Sequence, residues 1–229
     1  MEKTKSATPL APPTGSSDAP AHSPGSAAGV RPALASTPQR MERLADFAHE
    51  VGMLRRTPRS GYQFLGTGRE NVAEHSYRTT VLGYVLARLA GADVARTVYL
   101  CLFHDLHEAR TGDFNYVNHR YNTCNARQAL ADATAGTGLE DDVLGAFAEL
   151  EDNGSLEARL AHDADQLDLI FNLKCESERG NVEAEAWMDA ACCRLKTPQG
   201  QELARHARST PSERWWRAGV DAAWWNNRR

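Results

Sequence analysis

No apolar run in the chain approaches the roughly 20 residues that cross a bilayer, so the sequence offers no candidate membrane span. Lys3 and Lys5 are followed by no apolar stretch, which makes the N-terminus a poor secretory signal. Neither charge sign is in large excess: 26 basic against 30 acidic side chains give a net charge of −4. The basic footprint of a nucleic-acid binder is therefore missing, as is a field that would attract anionic membranes. Cysteine is sparse and poorly arranged for cross-linking. The five residues (Cys101, Cys124, Cys175, Cys192, Cys193) are odd in number, two are adjacent, and no Cys-x-x-Cys occurs. They read as free thiols in a reducing compartment, not as a disulfide framework or a zinc finger. By default the expected location is the cytoplasm.

Aromatic residues are absent from residues 1–36, which hold six of the ten prolines among Ala, Ser, Thr and Gly. Such a segment buries too little apolar surface to offset its ordering entropy, and a disordered tail is expected. Alternating strand patterns and repeats are also lacking. What remains is helical periodicity, and one all-α domain is expected over residues 37–229. Thr37-Pro38 opens a first helix whose apolar face runs from Met41 to Leu54. A second spans 72–90, with Val81 and Leu89 among its inward residues and Gly91 as its stop. A third begins at Asp93 and runs to about Arg110, ended by Gly112. A loop over 113–121 and helices near 123–135 and 140–151 follow. Ser155 caps a long apolar helix through Leu173, broken at Gly180-Asn181. A helix over about 182–195 comes next. Thr210-Pro211-Ser212-Glu213 reads as a capping box opening a last helix with Trp215, Trp216, Trp224 and Trp225. Those tryptophans fit core or a subunit contact and are assigned no chemistry.

The third helix contains Cys101-Leu102-Phe103-His104-Asp105-Leu106-His107-Glu108. Ionisable groups among core-facing residues are normally paired or metal-bound. On a continuous helix His104 and Glu108 share a face, and Asp105 lies about 100° round from His104. A His-Asp pair alone is weak, and His162-Asp163 is a second one in the same chain. Context strengthens the first. His75 stands on the preceding helix in Val72-Ala73-Glu74-His75-Ser76, and Asp165 stands on the long apolar helix in His162-Asp163-Ala164-Asp165-Gln166-Leu167-Asp168. Three core helices each bring an ionisable group inward. One divalent ion explains them together, since imidazole and carboxylate suit several such ions.

The order His, His-Asp, Asp resembles the signature of the HD-domain metal-dependent phosphohydrolases. Glu-Asn-Val-Ala-Glu-His-Ser (70–76), His-Asp-Leu-His-Glu-Ala-Arg-Thr-Gly-Asp (104–113) and Ala-Asp-Gln-Leu (164–167) are similar to the 5′-deoxynucleotidase branch, over roughly residues 40–185. The resemblance implies an HD-type helical bundle that removes the 5′-phosphate of (deoxy)nucleoside monophosphates. It implies His75, His104, Asp105 and Asp165 as ligands of one divalent ion, such as Co, Mn, Fe or Zn. Asp165 is preferred to Asp163 because Ala-Asp-x-Leu is the family context, which leaves Asp163 for the surface. Glu108 falls on the carboxylate that handles the proton, and Asp113 on a second acidic position near the metal; either could instead orient a ligand. Arg59, before Ser60-Gly61, would grip the phosphate, and Tyr62 would shape the sugar and base pocket. Family members are often homodimers.

The chain departs from the family at two positions. Tyr62 stands where tryptophan is usual and helps reject ribose, so selectivity for 2′-deoxy substrates is open. Gln166 stands where lysine often follows the last ligand. Three rivals remain: a phosphohydrolase for cyclic or polyphosphorylated nucleotides, a mixed-valent di-iron oxygenase, and a non-catalytic module on the same fold. The oxygenase needs extra histidines between the His-Asp pair and the last aspartate. His107, His119 and His162 lie there, but not at the expected spacing.

Overall fold

The computed structural model describes residues 32–218. Most of the expected tail, together with Trp224 and Trp225, lies outside the described residues. Among the described residues the architecture is all-α, with no strand. The helices are α1 (Pro38–Val51), α2 (Tyr62–Leu65), α3 (Val72–Ala90), α4 (Val94–Phe103), α5 (Glu108–Thr111) and α6 (Asn118–Tyr121). They continue as α7 (Ala126–Thr134), α8 (Glu140–Asp152), α9 (Leu156–Glu178), α10 (Glu183–Cys192), α11 (Pro198–Ser209) and α12 (Arg214–Arg217). A 3₁₀ turn, Gly52–Arg56, follows α1.

Local sequence sets most of these boundaries. Thr37 accepts from Arg40 N, with Pro38 at the first helical position. Asn71 and Glu74 form a reciprocal capping box on α3, and Gly91 ends that helix at φ +67°, where a Cβ would be strained. Asp93 caps α4, and Ser155 caps α9. Each such cap contributes about 1 kcal/mol.

Helix α9 is the spine, packed against α3, α4, α10 and α11. Its Leu160, Leu167, Ile170 and Leu173 are buried with Leu82 and Leu86 of α3, Leu100 and Cys101 of α4, and Met188 of α10. Gly83 lets α3 and α4 approach closely, because a Cβ there would run into Cys101 Sγ. A smaller cluster joins Leu54, Val72, Leu106, Leu130 and Val143. The antiparallel pairing of Pro58 with Asn71 clips the segment before α2 to the start of α3. Arg59 N donates to Glu70 O at 2.9 Å and Val72 N to Thr57 O at 3.0 Å.

The structure differs from the sequence expectations in several places, among them the expected loop over 113–121, which contains α6. The third helix is not continuous to Arg110: α4 stops at Phe103, and the backbone tightens into three-residue steps, Leu106 N to Phe103 O and Glu108 N to Asp105 O. The expected first helix stops at Val51, and Leu54 is buried from the 3₁₀ turn instead. Val81 and Leu89 are exposed, because α9 and α4 cover only the Val72–His75–Thr79–Leu82–Leu86 side of α3. Thr197-Pro198 opens α11, a helix the sequence reading did not propose, and Thr210 is its C-cap instead of the opening of a capping box. The N–H and hydroxyl of Ser212 go to Glu178 of α9, so α12 starts without a side-chain cap and Trp215 is exposed. Finally, Asp163 is fully buried, not a surface residue. Its carboxylate accepts from Lys196 N (2.8 Å), Thr197 N (2.7 Å) and Thr197 Oγ1 (2.7 Å), where α11 begins with unpaired N–H groups.

Candidate metal centre

Three elements bring the expected ligands together. His75 lies in the second turn of α3, on the buried face, and is fully shielded from solvent. His104 is the C-cap of α4, and Asp105 is the next residue in the tight turn. Asp165 lies in the middle of α9, among the small buried residues Ala158, Ala161 and Ala164 that let the helix come close. His75 Nε2 is 3.1 Å from His104 Nε2, 3.4 Å from Asp105 Oδ2 and 3.2 Å from Asp165 Oδ1. His104 Nε2 is 3.1 Å from Asp105 Oδ2. The break after Phe103 therefore matters to the site, since it turns His104 and Asp105 toward one point.

The hydrogen bonds behind the rings set their tautomers. His104 Nδ1 lies 2.7 Å from the Cys101 carbonyl oxygen, which can only accept, so Nδ1 carries the hydrogen. His75 Nδ1 donates to Asp168 Oδ2 at 2.7 Å. In the neutral rings both Nε2 atoms are then lone pairs, facing each other and two carboxylates. Such a set repels itself unless a cation sits among it. Burial alone would push the His75 pKa down, but Asp105, Asp165 and Asp168 outweigh it and hold it well above the ordinary value. Burial acts to raise the Asp105 and Asp165 carboxyls, and the two histidines nevertheless hold both well below theirs. The group attracts positive charge, and the donor set, two imidazole nitrogens and two carboxylates, suits a divalent ion of the first transition row.

Arg59 borders the cluster, with Nη1 3.2 Å from Asp105 Oδ2 and 3.8 Å from Asp113 Oδ2, and Nη2 3.9 Å from Asp165 Oδ1. Asp113 Oδ2 also accepts from Ser60 N at 2.7 Å, so it holds the turn that carries Arg59. Glu108 opens α5 and is buried, and its Oε2 has no hydrogen-bond partner within the described protein. Burial, with the charges of Asp105 and Asp113, pushes its pKa up to about 9. Tyr62 opens α2 and is half-buried; burial, followed by Glu70 and Asp168, pushes its phenol up.

The histidines of the oxygenase alternative are not gathered here. His107 stacks edge-on against Phe147, His119 against Phe114, and His162 bonds Asp163 at 3.2 Å. Among the described residues, the clusters able to hold an ion all contain His75, and none contains those three.

Behind His75 lies a buried network that is not among the residues expected from the sequence. Asp168 accepts from His75 through one oxygen and from Arg78 Nε, at 2.5 Å, through the other. Arg78 also reaches Glu70 Oε1 at 3.4 Å, and Asn172 Nδ2 donates to the same atom at 2.9 Å. The signal was present as spacing: Asp168 is one turn beyond Asp165, and Arg78 one turn beyond His75. A cavity of about 690 Å³ opens beside the cluster, and its lining includes the polar Arg59, Asp113 and Asp168 and the apolar or aromatic Tyr62, Phe114, Leu173 and Trp187.

A buried His-Asp cluster held by a bundle of this kind is the mark of the HD domain, and a model of the HD domain family matches residues 51–206. The chain belongs to that family. It is 27% identical over 137 residues to the zebrafish (Danio rerio) protein named 5′-deoxynucleotidase HDDC2, a match covering 57% of this chain and 68% of that protein. The human (Homo sapiens) protein of the same name is 29% identical over 136 residues, covering 56% of this chain and 65% of that protein. The matches thus span about two thirds of those relatives. Among solved structures, one from structural genomics is 31% identical, covering 77% of this chain and 100% of the other, with a TM-score of 0.63. A conserved hypothetical protein from Pyrococcus furiosus is 26% identical, covering 72% of this chain and 99% of its own, with a TM-score of 0.59. No helix among the described residues is long and apolar enough to cross a membrane.

Proposed function

We propose that the chain hydrolyses the 5′-phosphate ester of a nucleoside monophosphate, with His75, His104, Asp105 and Asp165 holding one divalent ion. The observation that carries this reading is the pair of Nε2 atoms 3.1 Å apart, each also facing a carboxylate oxygen. When bound, the ion supplies Lewis acidity toward a phosphoryl oxygen and lowers the pKa of a water. The chain's own residues do the rest. Arg59 offers a planar fork to the phosphoryl oxygens, where charge develops. Glu108, whose carboxyl burial and its acidic neighbours Asp105 and Asp113 push up, donates its proton to the departing 5′-oxygen, so the nucleoside leaves as an alcohol. Asp113 keeps Arg59 in place through Ser60 N–H. Tyr62 shapes the sugar end of the cavity. The relatives named 5′-deoxynucleotidase support a mononucleotide and favour the 2′-deoxy form.

The test is phosphate release from deoxynucleoside and ribonucleoside monophosphates, cyclic nucleotides and nucleoside triphosphates, with and without Co²⁺ or Mn²⁺. Metal-dependent release from the monophosphates is expected, with one ion per chain. Full activity in Asp105→Ala after metal stripping would overturn the metal-hydrolase reading. Two irons per chain would favour the oxygenase.

A further inference from the structure

The geometry points to Trp187 of α10 as the stacking platform for an aromatic base, an inference that rests on the nucleotidase reading and names the far end of the same site. Four observations carry it. One cavity beside the metal cluster is lined by Arg59, Asp113 and Trp187, so a ligand whose phosphate meets Arg59 has sheltered space that reaches Trp187. Its volume, about 690 Å³, is in the range of small-molecule sites and larger than a phosphate with a sugar requires. Trp187 is only partly buried, packed on one side against the core around α9, with pocket on the other. A Cβ on Gly61 would meet Trp187 Cζ3 at 3.9 Å, which places the indole against the turn that carries Arg59 and Tyr62.

Two polar side chains of the wall are already engaged. Arg194 bonds Gln166 Oε1 at 2.5 Å and Tyr116 Oη at 2.7 Å, and Asn115 Oδ1 accepts from Val117 N and Asn118 N. Beside them the wall offers the partly buried indole of Trp187. Stacking of a base on an aromatic side chain suits that chemistry.

The experiment compares kcat/KM for dAMP with kcat/KM for 2-deoxyribose 5-phosphate, which has the phosphate and sugar but no base. Wild type, Trp187→Leu and Trp187→Phe are assayed with Mn²⁺. The ratio of the two values is expected to fall roughly 10- to 100-fold in Trp187→Leu and to recover most of that loss in Trp187→Phe. A ratio unmoved in Trp187→Leu, or an equal fall for both substrates, overturns the stacking role while the nucleotidase reading stands. A wild-type protein that releases phosphate from neither substrate overturns the nucleotidase reading, and the base platform with it.

Discussion

His75 donates its Nδ1 hydrogen to Asp168 across 2.7 Å, and both side chains are almost wholly shielded from solvent. That bond fixes which nitrogen of His75 faces Asp105, Asp165 and His104. A carboxylate behind a ligating imidazole orients the ring and raises its basicity. Asp168→Ala is expected to weaken Mn²⁺ binding about 10- to 100-fold, read by calorimetric titration of the stripped protein. Asp168 acts through His75, so restoring near-saturating metal should recover part of the activity. Unchanged metal affinity would remove Asp168 from the site.

Glu108 predicts a pH effect of definite sign. Burial and its acidic neighbours push the carboxyl up to about 9, and a cation in the adjacent cluster pulls it back toward acid. A group that must donate a proton is lost as pH rises through its pKa. The alkaline limb of the kcat profile is therefore expected below about pH 9, and Glu108→Gln should lose that limb along with about 10²- to 10⁴-fold in kcat. Metal content should stay at one ion per chain. Retention of the limb in Glu108→Gln would assign the proton elsewhere.

Asp163 and Asp165 lie two residues apart and answer to different physics. Replacing Asp163 with Ala strands Lys196 N and Thr197 N, with an expected loss of about 3 kcal/mol, or roughly 6–12 °C in the thermal midpoint. Burial acts to raise the Asp163 carboxyl, but His162, Thr197 and the N–H groups outweigh it and hold it below the ordinary 3.8. A depressed folded-state pKa gives stability that is fully present above the unfolded value and lost as pH falls through the folded one. The gap between wild type and Asp163→Ala is thus expected to be constant near neutrality and to shrink below about pH 3.8. Metal affinity should be retained in Asp163→Ala and lost in Asp165→Ala. Loss of metal in both variants would contradict this division.

The contrast also shows what the sequence could carry. The capping residues of α1, α4 and α9 are local signals, and the starts of those helices were legible. The motif residues His75, His104, Asp105 and Asp165 were legible as well, because ionisable groups inside apolar periodicity demand an explanation. The break after Phe103 was not, since helical periodicity continues through Leu106 while the backbone shifts to three-residue bonding. Asp163 was misjudged because its partners, Lys196 and Thr197, are more than 30 residues away, at the start of a helix that the sequence expectations lack. Asp168, Arg78 and Trp187 gain their meaning only from tertiary packing.

Arg59 supplies the last test. Its guanidinium lies between Asp105, Asp113 and Asp165, and burial, which opposes its charge, is outweighed by those three carboxylates and Glu108. A lysine keeps the charge but not the planar two-pronged geometry. Arg59→Lys is expected to lower kcat/KM for the monophosphate substrate about 10-fold or more, and Arg59→Ala about 100-fold or more, at saturating metal. Asp113→Asn should mimic a weaker form of the same defect, because it loosens the Ser60 N–H clamp without touching the phosphate. If Asp113→Asn instead abolishes turnover while Arg59→Ala leaves it intact, the proton carrier is Asp113, and Arg59 only balances the charge of Asp105 and Asp165.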